Sequence, residues 1–149
     1  MTELLLICLI AGRRAAIPTE RVLSVIELEA VTPIPRAPEF IVGLAALRSQ
    51  ALTVIDCRVS LGFEPSKQIV GSRAAVVEHE GHRYALLVDA AFDVAEPLTD
   101  PVAVPGGFGE GWQYAARGMV ETDSGPALLV DVDQILAGPR ISHDHLSAA

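Results

Sequence analysis

Short apolar runs alternate along this chain with clusters of Gly, Pro, Asp, Ser and Glu, and no long stretch keeps a helical stripe. That punctuation predicts an all-β protein of many short strands. LLLICLI is followed by Ala11-Gly12-Arg13 and then AAIP, which reads as strand, turn, strand. RVLSVIEL is ambiguous: Val22, Val25 and Ile26 fit helical spacing, while their β-branching favours a strand. VTPIPRAPEF holds prolines at 33, 35 and 38. Proline removes a donor and fixes φ, so this segment is an extended crossing rather than the interior of a ladder. ALTVIDCRVSLGF reads as a strand ending at Asp56 with a short helical turn after it. Glu80-Gly81 and Asp123-Ser124-Gly125 each sit between two apolar runs, the signature of a β-hairpin.

Larger units follow from the same pattern. LTVIDCRVSL, LLVDAAFDV and LLVDVDQIL each run from an apolar strand to an aspartate, at Asp56, Asp89 and Asp131. One supersecondary unit is used more than once, and the uneven spacing excludes a solenoid. A doubled small β-barrel fits. EPSKQIVGS, turn-rich and polar, is the expected boundary between two halves, near residue 70. Residues 140–149 read as a flexible tail closing a single domain over 1–139. Pro and Gly crowd residues 97–111, a loop long enough to serve as a lid.

Composition changes the picture in two ways. The 149 residues are 50% hydrophobic and 20% charged, with a mean hydropathy of +0.39. Soluble domains carry about 25% charged residues, so charge is sparse. Yet no run approaches the ~18 apolar residues of a spanning helix. Glu3 precedes the first apolar run and Arg13 and Arg14 follow it, the wrong order for a signal peptide. The expectation is a cytoplasmic protein with no membrane insertion. The net charge of −8 argues against nucleic acid, whose phosphates call for clustered Lys and Arg.

Candidate chemistry is thin. GGFGEGW at 106–112 has Trp112 where a dinucleotide motif needs glycine. Cys8 and Cys57 lie inside apolar runs and read as small buried hydrophobes. His79 and His82 bracket a hairpin turn and read as exposed turn residues; His143 and His145 fall in the polar tail. Asp56, Asp89 and Asp131 fit the role of caps for the turn or helix after each strand. No cofactor, metal or catalytic residue is assigned.

The stretch VTPIPRAPEFIVGLAALRSQALTVIDCRVSLG resembles the centre of the CheW family, the adaptors of bacterial chemotaxis arrays. Val31 to Pro35, Ala37-Pro38, Phe40, Gly43, Leu47-Arg48, Val54 to Asp56, Arg58 and Leu61-Gly62 stand in the places of that family's pattern. LLVDAAFDV and LLVDVDQIL look like its later landmarks. The resemblance implies two five-stranded SH3-like β-barrels side by side, one over about residues 10–70 and the later one over 71–138 joined by the first strand at 2–9. It implies a non-enzymatic adaptor whose partners are the regulatory domain of the histidine kinase CheA and the cytoplasmic tip of chemoreceptors, recruited to membrane-associated arrays. The partner-contact positions it carries over are Val22, Gly43, Arg48, Ala85, Ala91 and Val94, with 22, 48, 85 and 94 lining a groove between barrels.

The residues at those positions have their own physics. Val22, Val25 and Ile26 form a small apolar stripe, either a helix-docking surface or barrel core. Gly43 permits positive φ or a close backbone approach. Arg48 follows an apolar run, so its base is expected to be partly buried and in need of a partner. Relatives place Glu two residues after the Val22 position, within reach of that arginine; here Ser24 stands there, leaving Glu20, Glu27, a carbonyl, water or a partner. Ala46 replaces an Asn, and Ser49 replaces a Gly whose positive φ would cost serine on the order of 1 kcal/mol. These departures fall in the contact region. They leave open an adaptor serving a motility or other signalling cluster, and, from another class, a small β-barrel enzyme or ligand-binding protein using loop 97–111.

Overall fold

The computed structural model describes residues 3–139. Ten strands run in chain order: β1 Leu5–Ile10, β2 Arg13–Pro18, β3 Val22–Glu27, β4 Ile41–Leu47, β5 Gln50–Asp56, β6 Arg73–His79, β7 His82–Leu87, β8 Ala90–Ala95, β9 Ala116–Thr122 and β10 Gly125–Val130. Three short helices are α1 Cys57–Ser60, α2 Glu110–Ala115 and α3 Val132–Ala137. RVLSVIEL resolves as a strand, the outcome its β-branched residues favoured. The two hairpins foreseen at Glu80-Gly81 and Asp123-Ser124 join β6 to β7 and β9 to β10. His143, His145 and the expected tail lie outside the described residues.

The strands form two five-stranded sheets, ordered β3-β6-β7-β5-β4 and β8-β1-β2-β10-β9. The first is continuous in sequence; the second is split, because the β1–β2 hairpin completes it from the start of the chain. The division therefore differs from the one expected near residue 70. The chain changes sheet between β2 and β3, and again between β7 and β8. β2 as well as β1 belongs with the later strands, and β6 and β7 belong with the earlier ones. EPSKQIVGS is not a linker but part of the crossover that brings β7 parallel to β5. Parallel neighbours need a long connection, which composition alone does not distinguish from a boundary.

The two units share one plan. Each has an edge strand, a hairpin, a parallel joint (β5 with β7, β10 with β2) and a second hairpin. Asp56 caps α1 by accepting from the Arg58 amide at 3.1 Å, and Asp131 caps α3 by accepting from the Gln134 amide at 3.4 Å. Thr32 bridges to Leu44 just as Val102 bridges to Met119. A Cβ on Gly43 would collide with the Thr32 carbonyl, and one on Gly118 would lie 2.8 Å from the Val102 carbonyl. The equivalence exposes a sequence repeat: TPIP precedes the first of these glycines and VAVP the second.

Both faces of the interior strands are largely buried. Leu6, Cys8, Ile10, Ile17, Leu128 and Val130 of the split sheet meet Ile55, Ala75, Val77 and Leu86 of the continuous sheet in one shared core. Their sequence neighbours fill private cores: Leu52, Val54, Ala74, Val76 and Ala85 in one unit, Leu5, Ile7, Ala16, Ala127 and Leu129 in the other. Alternate residues thus serve different cores, and the strands read as unbroken apolar runs. Trp112 on α2 is fully buried in the shared core. Trp112→Ala is expected to cost about 3–5 kcal/mol, measured as a shift in urea midpoint with the m-value retained.

Cys8 and Cys57 are free and buried in that core, one from each unit. Burial, with a smaller contribution from the Asp89 charge, pushes the Cys8 thiol up to about 12. Burial also holds the Cys57 thiol well above its ordinary range, with Cys8, Asp56 and Asp89 adding to it. Unfolded thiols ionise from about pH 9.0 upward while the folded ones stay protonated. Stability is therefore complete below that pH and falls above it, by up to about 1.4 kcal/mol per pH unit for each thiol. Urea titrations across this range should show a steeper alkaline decline in the unmodified chain than in Cys8→Ala; equal slopes would contradict the assignment.

Candidate protein-docking site

The edge strands β3 and β8 each expose apolar side chains. Each pairs on one side only, β3 with β6 and β8 with β1. Each carries a β-bulge in the same place, between Val22 and Ser24 on β3 and between Ala91 and Val94 on β8. A regular strand would turn every second residue inward. The bulge breaks that alternation and re-aims the side chains, so three consecutive residues face outward: Leu23, Ser24 and Val25 on one strand, Phe92, Asp93 and Val94 on the other. Leu23, Phe92 and Val94 are each about half exposed, at 52%, 52% and 53%. Val22 and Ala91 occupy equivalent positions and lean against the shared core. β8 also packs alongside β6, the strand with which β3 pairs, so both edges border the seam between units.

The structure distributes the anticipated contact residues unevenly. Val22, Ala91 and Val94 lie on these twin edges. Ala85 does not line a groove: it is fully buried in the continuous unit's private core, where β7 is an interior strand. Gly43 is buried, and its lack of a Cβ admits the Thr32 carbonyl. Arg48 is not partly buried. It sits at the tip of the β4–β5 hairpin, exposed, with no hydrogen bond or ion pair among the described residues. Arg48 and Ser49 both have positive φ, 51° and 71°, as the two-residue turn of such a hairpin requires. That turn throws the arginine outward at the end of β4, the strand at the opposite margin of the sheet from β3. The supposed stripe of Val22, Val25 and Ile26 also divides: Val22 faces the shared core, Ile26 the private core, and only Val25 is exposed. Leu23, Phe92 and Asp93 were missing from the sequence-derived set. Aligning VLSVI at 22–26 with AFDVA at 91–95 would have marked all three.

Polar ties fix the seam. Asp89, expected as a cap, instead joins the units: it accepts from the Gly12 amide at 3.2 Å and pairs with Arg58 at 3.2 Å. Its own amide donates to the Leu9 carbonyl at 2.8 Å. On the continuous unit, Arg21 and the partly buried His79 both reach Asp133 of α3, at 3.1 and 3.3 Å. His79 is thus a junction residue rather than a free turn histidine.

Loop 97–111 is strapped down rather than free to act as a lid. Leu98 donates to the Glu121 carbonyl at 2.7 Å, and Val102 exchanges two backbone bonds with Met119. The Arg13 guanidinium lies 4.7 Å from the centre of the Phe108 ring, and Phe108 and Val104 pack on the shared core. The cleft at the end of the loop, about 250 Å³, is lined by Phe63, Glu110 and Tyr114 among others. Among the described residues no group of His, Cys, Asp and Glu is placed to hold a metal.

The profile of the CheW-like domain matches residues 4–140. The chain belongs to the CheW-like domain family. The chemotaxis protein CheW of Thermotoga maritima is 27% identical over 128 residues, covering 81% of this chain and 79% of that protein. CheW of Rhizobium meliloti is 25% identical over 105 residues, 70% of this chain and 68% of its own. Protein FrzA of Myxococcus xanthus is 42% identical over a shorter stretch of 43 residues, 29% of this chain and 27% of its own. The crystal structure of the scaffolding protein TtCheW from Thermoanaerobacter tengcongensis superposes with a TM-score of 0.73 at 24% identity, covering 89% of this chain and 86% of that one. The CheW-like fold places the family's proline-rich crossing, Gly43 and the Asp56 cap in the continuous unit, and the split unit repeats their geometry without the same residues.

Substitutions here separate surface from scaffold. Phe92→Ser and Leu23→Ser are expected to change stability by no more than about 0.5 kcal/mol. Gly43→Ala should cost about 1–3 kcal/mol through overpacking against Thr32. Ser49→Gly should add about 1 kcal/mol by relieving the positive φ. Thermal melts of the four variants check the order.

Proposed function

We propose that this chain is a non-enzymatic adaptor that couples chemoreceptors to the histidine kinase CheA in chemotaxis signalling. Membership of the CheW-like family supports the adaptor class. The observation that carries the docking role is the pair of bulged edge strands, each holding exposed apolar residues at the seam. Soluble proteins keep exposed apolar patches small unless a partner covers them. A bulged edge discourages strand addition, so the surface suits an amphipathic helix laid along the seam, such as the helical tip of a receptor. The kinase's regulatory domain then binds elsewhere on the same scaffold, and Arg48 at its exposed hairpin tip is a candidate contact. No helix of the described residues is long and apolar enough to cross a membrane; recruitment to receptor arrays comes through these partners.

Ser24, standing where relatives carry Glu, favours a second reading, in which the same scaffold serves a different signalling output. Co-sedimentation with a receptor cytoplasmic-tip fragment and with the kinase regulatory domain, both encoded with this chain, separates the two. Coupling predicts binding to both and a rise in receptor-dependent autophosphorylation. Binding to the kinase alone favours the second reading, and binding to neither at tens of micromolar defeats both. Arg48→Ala is expected to weaken kinase binding with an unchanged melting temperature; the reverse pattern would make Arg48 structural.

A further inference from the structure

The twin edges differ in charge at one matched position. Ser24 of β3 and Asp93 of β8 hold matching positions at the bulge, each two residues after the inward-leaning Val22 or Ala91 and between two exposed apolar neighbours. Asp93 is exposed, flanked by Phe92 and Val94, and makes no hydrogen bond or ion pair among the described residues. A helix seated on Phe92 and Val94 would strip water from this carboxylate, and a desolvated charge without a partner is costly. Ser24 imposes no such demand on the other edge, since a hydroxyl loses far less on desolvation.

We propose that Asp93 is the specificity-determining residue of the seam, and that the helix it admits carries a lysine or arginine within its apolar stripe. The inference rests on the coupling reading above and names the chemistry of the partner that reading requires. The carboxylate attracts a helix with the matching cation and rejects an otherwise similar helix without one. Both bulges deter a strand from adding to either edge, which leaves a helix as the occupant.

The test is titration of the full chain with the receptor cytoplasmic-tip fragment, at low salt and again at about 0.5 M salt, where exposed ion pairs are screened. Asp93→Asn is expected to weaken binding about tenfold at low salt, and Asp93→Lys more. Both differences should shrink at high salt. Melting temperatures should match the unmodified chain, because the side chain is exposed. Ser24→Ala should bind as the unmodified chain does. Exchanging the fragment's seam-facing basic residue for Glu should restore affinity for Asp93→Lys alone. If the unmodified chain, Asp93→Asn and Asp93→Lys bind the fragment alike at low salt, the selection by Asp93 is refuted while coupling stands. If the unmodified chain itself fails to bind, the coupling reading falls and this inference with it.

Discussion

The fold depends on strands that are buried on both faces. Each small sheet closes over a private core, yet neither private core is large, and small domains bury a smaller fraction of their surface and are marginal alone. The opposite face of each sheet therefore turns toward the other unit, and the largest core lies between them, with Trp112 and both cysteines inside it. The high mean hydropathy follows from this. It reflects alternate positions in β1, β6 and β10 that are all apolar because they serve different cores. Part of the apolar surface stays exposed, and Leu23, Val25, Phe92 and Val94 place some of it on the bulged edges at the seam.

Two-faced burial also explains why the edges matter. From Ala85 onward the interior strand β7 has no surface left to offer, which is why Ala85 is unreachable. Edge strands have one free side, and the bulge on each turns consecutive residues outward while spoiling the edge for strand addition. The duplicated plan produces bulged edges in matched pairs, and β3 and β8 differ in what they present. Leu23 and Phe92 supply similar apolar surface; Ser24 and Asp93 do not supply similar charge. The polar ties through Asp89 and Asp133 hold the two edges at a fixed relation across the seam.

Much of this was legible beforehand where the signal is local. Hairpin turns at Glu80-Gly81 and Asp123-Ser124, caps at Asp56 and Asp131, and buried cysteines all follow from neighbours in sequence. The CheW resemblance rested on the proline-rich crossing and Gly43, whose missing Cβ serves a backbone contact made within the same unit. Arg48 misled because an apolar run before it suggests burial, whereas the positive φ of a two-residue turn sends it outward. Asp89 misled because it shares the strand-then-Asp pattern with two caps, but the chain beyond it begins an edge strand, not a helix.

The sequence by itself determined the all-β class, the turn chemistry, the family resemblance and the fact that one unit is used twice. Those depend on backbone propensity and on contacts between near neighbours. Only the tertiary structure decided which strands share a sheet, since a crossover loop and a domain linker have the same composition and differ in the partner that follows. It alone decided which apolar residues stay exposed. A bulge shifts register by one residue, and in a strand with two cores that single shift determines whether a side chain faces a core or the solvent.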